Sequence, residues 1–135
     1  MAISIDELKG ISDELSKKLK AEGIKNSDEL LDASRSPAQR KELAQKTGVG
    51  AREILELANR ADLSRIKGIA GVFSDLLEQA GVDTVKELAT RRPDNLHAKM
   101  TEVNAEKALA KRMPTADMVK EWVEQAKELP KLLTY

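Results

Sequence analysis

The stretch Ile66-Lys67-Gly68-Ile69-Ala70-Gly71-Val72-Phe73-Ser74-Asp75-Leu76-Leu77-Glu78-Gln79-Ala80-Gly81-Val82 decides how the chain reads, because its pattern already occurs 58 residues upstream. Setting residues 8–30 against 66–88 without a gap gives eight identities in 23 positions (Lys9, Gly10, Ile11, Ser16, Leu19, Gly23, Glu29 and Leu30). Composition alone would give roughly one or two. In each copy an apolar segment meets a glycine at a tight turn. A helix of about ten residues follows and is stopped by a second glycine in the left-handed cap position. The sequence therefore reads as a tandem duplication, with units over 1–61 and 62–135.

Bulk properties narrow the class. The 135 residues include no cysteine, which rules out a disulfide framework, a thiolate metal site and a thiol nucleophile, and agrees with a cytoplasmic location. The N-terminal residues lack a basic region followed by an apolar run, and no stretch approaches the ~20 apolar residues of a bilayer span, so no membrane association is expected. Basic and acidic residues balance at 23 each, which weakens any case for strong nonspecific nucleic-acid binding. Charged residues make up 34% of the chain and aromatics 2%, the composition of short amphipathic helices packed through aliphatic side chains. An all-α fold is expected.

Along the chain, Ser4-Ile5-Asp6-Glu7 has capping-box spacing and opens a short helix ending at Gly10. After the turn Gly10-Ile11-Ser12, a helix over 13–22 presents Leu15 and Leu19, and Ser27 caps a connector bearing Leu30 and Leu31. Ser36-Pro37-Ala38-Gln39 starts a helix to about Lys46. The turn at Gly48-Val49-Gly50 leads into a helix over 51–61 with Ile54, Leu55, Leu57 and Ala58 inward. In the second unit, Thr84 caps the connector and Pro93 starts a helical region that poor helix formers at 101–104 interrupt. Thr115 caps a last helix whose Val119, Trp122, Val123 and Ala126 form a core face. Without proline or glycine near Asp62, the units should pack rigidly. Each is a pair of helix-hairpin-helix elements. Pro130 should stop the last helix and leave Leu132, Leu133 and Tyr135 as an apolar tail, which is expected to dock on the second unit or on a partner, the former preferred.

These patterns carry a resemblance. The doubled motif, the run 62–77, the segment 81–88, Asn95-Leu96-His97-Ala98-Lys99 and Trp122-Val123-Glu124-Gln125-Ala126 resemble a bacterial family of tandem helix-hairpin-helix proteins described as a domain of unknown function, over essentially the whole chain. More distantly, each unit is similar to the paired helix-hairpin-helix units of DNA repair proteins and to the C-terminal domain of the bacterial RNA polymerase alpha subunit. In those relatives hairpin amides hold DNA phosphates without catalysis. The resemblance implies sequence-independent nucleic-acid binding.

The four turns differ in fitness for that role. A helix N-terminus with free amides attracts an anion, and an acid or a capping side chain there competes with it. Gly48-Val49-Gly50 ranks first, with two glycines that are both expected in backbone conformations costly to other residues, Lys46 and Arg52 flanking it and no acid before Glu53. Lys67-Gly68-Ile69-Ala70 ranks second, with Ala70 in place of a second glycine. Gly10-Ile11-Ser12 precedes Asp13 and Glu14, and the fourth turn contains Pro114, so both read as structural. The lone His97 cannot anchor a metal, and no nucleophile, base and orienting group can be assembled. Neither an enzyme nor a cofactor or small-molecule substrate is expected. The alternative to DNA binding is a protein-protein interaction adaptor whose hairpins are structural only, a reading that the balanced charge favours.

Overall fold

A computed structural model of the chain describes residues 3–8, 10–69 and 72–135. The fold is all-helical. A 3-10 turn at Ile5–Glu7 precedes α1 (Asp13–Ala21), α2 (Ser27–Ala33), α3 (Pro37–Thr47) and α4 (Ala51–Leu63), and then α5 (Val72–Gln79), α6 (Val85–Ala89), α7 (Pro93–Lys107) and α8 (Ala116–Glu128). Successive helices of the second set begin 59, 58, 56 and 65 residues after those of the first.

Buried apolar side chains form two clusters. One joins Ile5, Leu19, Leu30, Leu31, Leu43, Ile54 and Leu57, and the other joins Ile66, Leu76, Leu77, Leu88, Leu96, Met100, Val119 and Trp122. Helices α2 and α3 pack on α4 in the first, and α6 and α7 pack on α8 in the second. Helix α4 serves both, since Ala61 closes the first cluster while Leu63, two residues on, belongs to the second.

Polar contacts fix the junction. Asp62 is 4% exposed; its carboxylate accepts from Arg65 Nη1 at 2.9 Å and from the first amide of α6, Val85 N, at 2.9 Å. Arg60, also on α4, reaches α5 with Nη1 2.5 Å from Asp75 Oδ1 and Nη2 2.6 Å from Glu78 Oε2. A buried carboxylate is tolerated only when its oxygens are satisfied, so Asp62 ties two helices together.

Several local expectations change. The short helix that Ser4 opens is 3-10 in type and ends at Glu7, with Asp6 accepting from Ser16 Oγ and Lys20 Nζ. Lys20 and Ser16 together hold the Asp6 carboxyl below its ordinary range. The cap of α2 is Asn26, whose Oδ1 accepts from Glu29 N at 2.9 Å; Ser27 instead pairs with Ile3 through its amide and hydroxyl. Helix α4 runs past Ala61 to Leu63, and Leu55 is only half-buried. Helix α7 is continuous through 101–104. Val103 and Met100 are buried there and Thr101 Oγ1 donates to His97 O at 2.9 Å, so packing outweighs weak propensity.

The tail is the largest difference. Helix α8 stops before Pro130 as expected, but the following residues cross to the first cluster, where Leu133 is 3% exposed and Leu132 packs beside it. Thr134 N donates to Arg35 O at 2.8 Å, and Arg40 Nη2 donates to Thr134 O at 2.6 Å. In the second set, the loop after α7 is closed locally. Its Asn104 side chain bonds both the amide and the carbonyl of Ala110, at 2.9 and 3.0 Å, and so closes that loop on itself.

Candidate nucleic-acid interface

At Gly48-Val49-Gly50, α3 ends on Gly48 in the left-handed region (φ +75°), with its amide donating to Ala44 O at 2.9 Å. A side chain at this φ is strained by about 1–2 kcal/mol, which accounts for glycine. Val49 turns half-buried into the first cluster.

Gly50 is different, and corrects the expectation that both glycines adopt conformations costly to other residues. Its backbone is ordinary extended chain (φ −73°, ψ 149°), and a Cβ there would meet nothing within 4 Å. It is the N-cap of α4, yet supplies no side-chain acceptor. By contrast α1, α2, α3, α6 and α8 each receive a side-chain cap, from Ser12, Asn26, Ser36, Thr84 and Thr115. The first amides of α4 thus lack a side-chain cap at a turn whose second glycine neither backbone strain nor packing demands.

Two cations flank this turn in sequence and a third reaches it in space. Lys46 Nζ lies 3.3 Å from Glu42, and Arg52, 91% exposed, lies 3.7 Å from Glu56. Sequence reading missed the third: Lys18 comes across from α1 so that its Nζ sits 3.7 Å from where a Gly48 Cβ would be. It also pairs with Glu14 at 3.2 Å. Thirty positions of separation leave no local signal for that approach. Exposed pairs of this kind contribute only ~0.3–0.5 kcal/mol each, so all three cations can turn to an anion at little cost. Along the flank of α4, a cavity of about 260 Å³ is lined by Gly10, Leu15, Leu57, Arg60 and the acids Glu53, Glu56 and Glu78, of which Glu53 lies in the first turn of α4 itself.

Residues 9–129 match the sequence profile of a family described as a domain of unknown function, DUF4332. The chain belongs to the DUF4332 family. Comparison with curated proteins and with solved structures finds no match.

The other predicted turn of this DUF4332 chain is engaged internally. Lys67 is exposed, but its amide donates to Gln125 Oε1 at 2.9 Å and its carbonyl accepts from Gln125 Nε2 at 3.3 Å. Gly68 (φ +98°) lies against α8, where an added Cβ would come within 3.0 Å of Trp122 Nε1. Ile69 is buried in the second cluster, and Ala70 lies outside the described residues. Trp122 is itself core, 2% exposed, with its ring 5.5 Å from that of Phe73.

The remaining DUF4332 turns are self-satisfied. Ser12 Oγ accepts from Leu15 N at 3.1 Å ahead of Asp13 and Glu14, and Thr115 Oγ1 accepts from Met118 N at 3.1 Å. His97 Nε2 lies 3.0 Å from Pro114 O; a carbonyl only accepts, so the ring is the donor. Among the described residues no group of three His, Asp or Glu side chains could hold a metal, and no helix is long and apolar enough to cross a membrane.

Proposed function

We propose that this chain is a tandem pair of helix-hairpin-helix units that binds nucleic acid without catalysis and without sequence preference, gripping a backbone phosphate at Gly48-Val49-Gly50. Gly50 carries this reading. At an N-cap position serine or aspartate would complete the helix, and glycine is the residue that lets a phosphate approach the free amides. Lys18, Lys46 and Arg52 supply the charge. Spacings of 59, 58 and 56 residues between the first three pairs of corresponding helices support the duplication, and the fourth pair departs from them at 65. Three cations limit the grip to about three phosphates, so the affinity should fall with salt at a logarithmic slope no steeper than about −3.

Fluorescence anisotropy with duplex, single-stranded and branched DNA at low salt tests the proposal. Binding of at least one form is expected, with loss of binding in Gly50→Asp while thermal stability is held or raised by the new cap. Failure of all three forms to bind the unmodified protein would refute it. The second reading, a protein-interaction adaptor, is favoured by the acidic flank of α4 and by equal numbers of acidic and basic residues.

A further inference from the structure

A cleft of about 390 Å³ opens where the two clusters meet. Its apolar wall is made by Ile3 at the edge of the first cluster and by Ile66, Ile69 and Phe73 of the second, and its lining includes no acid. Small-ligand sites of this size pair an apolar body with a few polar groups that fix orientation.

Most of the polar groups here are already taken. Ser64 Oγ donates to Ala61 O at 2.6 Å, and Gln125 occupies both the amide and the carbonyl of Lys67. Two donors are not. The Lys67 side chain is exposed and has no ion-pair partner among the described residues. Trp122 Nε1 belongs to a residue only 2% exposed, yet it has no acceptor among the described residues, whereas a buried indole N–H ordinarily finds one. No wholly enclosed side-chain nitrogen or oxygen among those residues lacks a partner, so this N–H keeps an opening. It borders Gly68, which lines the cleft: a Cβ on Gly68 would stand 3.0 Å from Nε1, and the bare Cα leaves that approach unfilled.

We infer that this cleft binds a small carboxylate with an aliphatic body, of the class of a medium-chain fatty acid. Lysine and the indole only donate, and a carboxylate only accepts, so the two open groups and the acid-free lining match a monoanion. The aliphatic body lies against Ile66, Ile69 and Phe73, and the carboxylate stays at the rim beside Gly68, accepting from Lys67 Nζ and from the Trp122 N–H. A peptide fits less well, because its amides would need partners that Ala61 and Gln125 have already used. This inference uses the turn that the nucleic-acid reading leaves to the fold, and neither test bears on the other.

The chain has one tryptophan, so its single indole N–H resonance reports on the site directly. The probes are octanoate, octanol and N-acetyl-leucine, each titrated into the full chain. Octanoate, with about ten non-hydrogen atoms, should move that resonance saturably at submillimolar to millimolar concentration. Octanol should bind about fivefold more weakly, the size of a hydrated rim ion pair, and N-acetyl-leucine should also bind more weakly than octanoate. Lys67→Gln, a change at an exposed side chain, should bring octanoate down to the level of octanol and leave octanol unchanged. A resonance that octanoate does not move, or moves without saturation, overturns the inference. So does equal binding of octanoate and octanol, or an unaltered octanoate affinity in Lys67→Gln. Tighter binding of N-acetyl-leucine than of octanoate would assign the site to a protein C-terminus and overturn the fatty-acid class.

Discussion

Two turns that look alike in the sequence, Thr47-Gly48-Val49-Gly50 and Lys67-Gly68-Ile69-Ala70, end in opposite situations. The first projects from the end of α3 with its helix amides uncapped by any side chain and cations on exposed, weakly paired stems. The second is clamped by Gln125 and backed by Trp122, so the described part of its main chain serves the fold. A glycine turn is thus a backbone geometry that another helix can engage, as at Lys67 and Gly68, or leave open, as at Gly50.

The largest expected effect tests the packing side of this contrast. Gly68→Val places a branched side chain at φ +98° and drives its Cβ against an indole in the core, so it should lower unfolding free energy by about 3 kcal/mol. Gly48→Val meets only the mobile end of Lys18 and should lose about 1 kcal/mol. Denaturant titration of the two proteins measures both, and equal losses would erase the distinction. Next comes binding: Arg52→Glu should weaken DNA affinity by about tenfold at low salt, whereas Lys67→Glu should change it by less than about threefold. The reverse order would move the interface to the other turn.

Gly50→Ser sharpens the comparison from the stability side. It adds the missing acceptor at the start of α4 and should raise unfolding free energy by a few tenths of a kcal/mol, up to about 1, with the unfolding midpoint as readout. The smallest effect concerns pH. The Asp6 carboxyl is held below its ordinary value by Lys20 and Ser16, so its contribution is present above the ordinary aspartate range and disappears as pH falls through the depressed value. Asp6→Asn should therefore flatten the acid limb of the stability profile slightly and leave the neutral region almost unchanged. An unaltered acid limb would show that the Asp6 ion pair adds nothing to the stability of the 3-10 turn.

Helix order and most core positions were legible because they depend on residues close in sequence. Pro37 and Pro93 mark helix starts, and Val119, Trp122, Val123 and Ala126 fall on one face by helical period. The expectations that failed depend on distant partners. Ser27 has the composition of a cap but is occupied by Ile3, and 101–104 has poor propensity but lies over a core that holds it helical. The approach of Lys18 to Gly48 and the path of the tail to Arg40 belong to the same class. Gly50 is the instructive case, since its identity suggested an unusual backbone and the structure assigns it none.

The carboxylate of Asp62 has a consequence for the order of folding. It sits in the last turn of α4, yet it holds the first amide of α6, twenty-three residues later in the chain. Until α4 is formed to its end, the start of α6 lacks that acceptor, and Leu63 is not in place to seed the second cluster. Assembly should accordingly run from the first core outward. Substitutions in α4 such as Ile54→Val should then slow folding in proportion to their loss of stability, while equivalent changes in α8 such as Val123→Ala should act mainly on the unfolding rate.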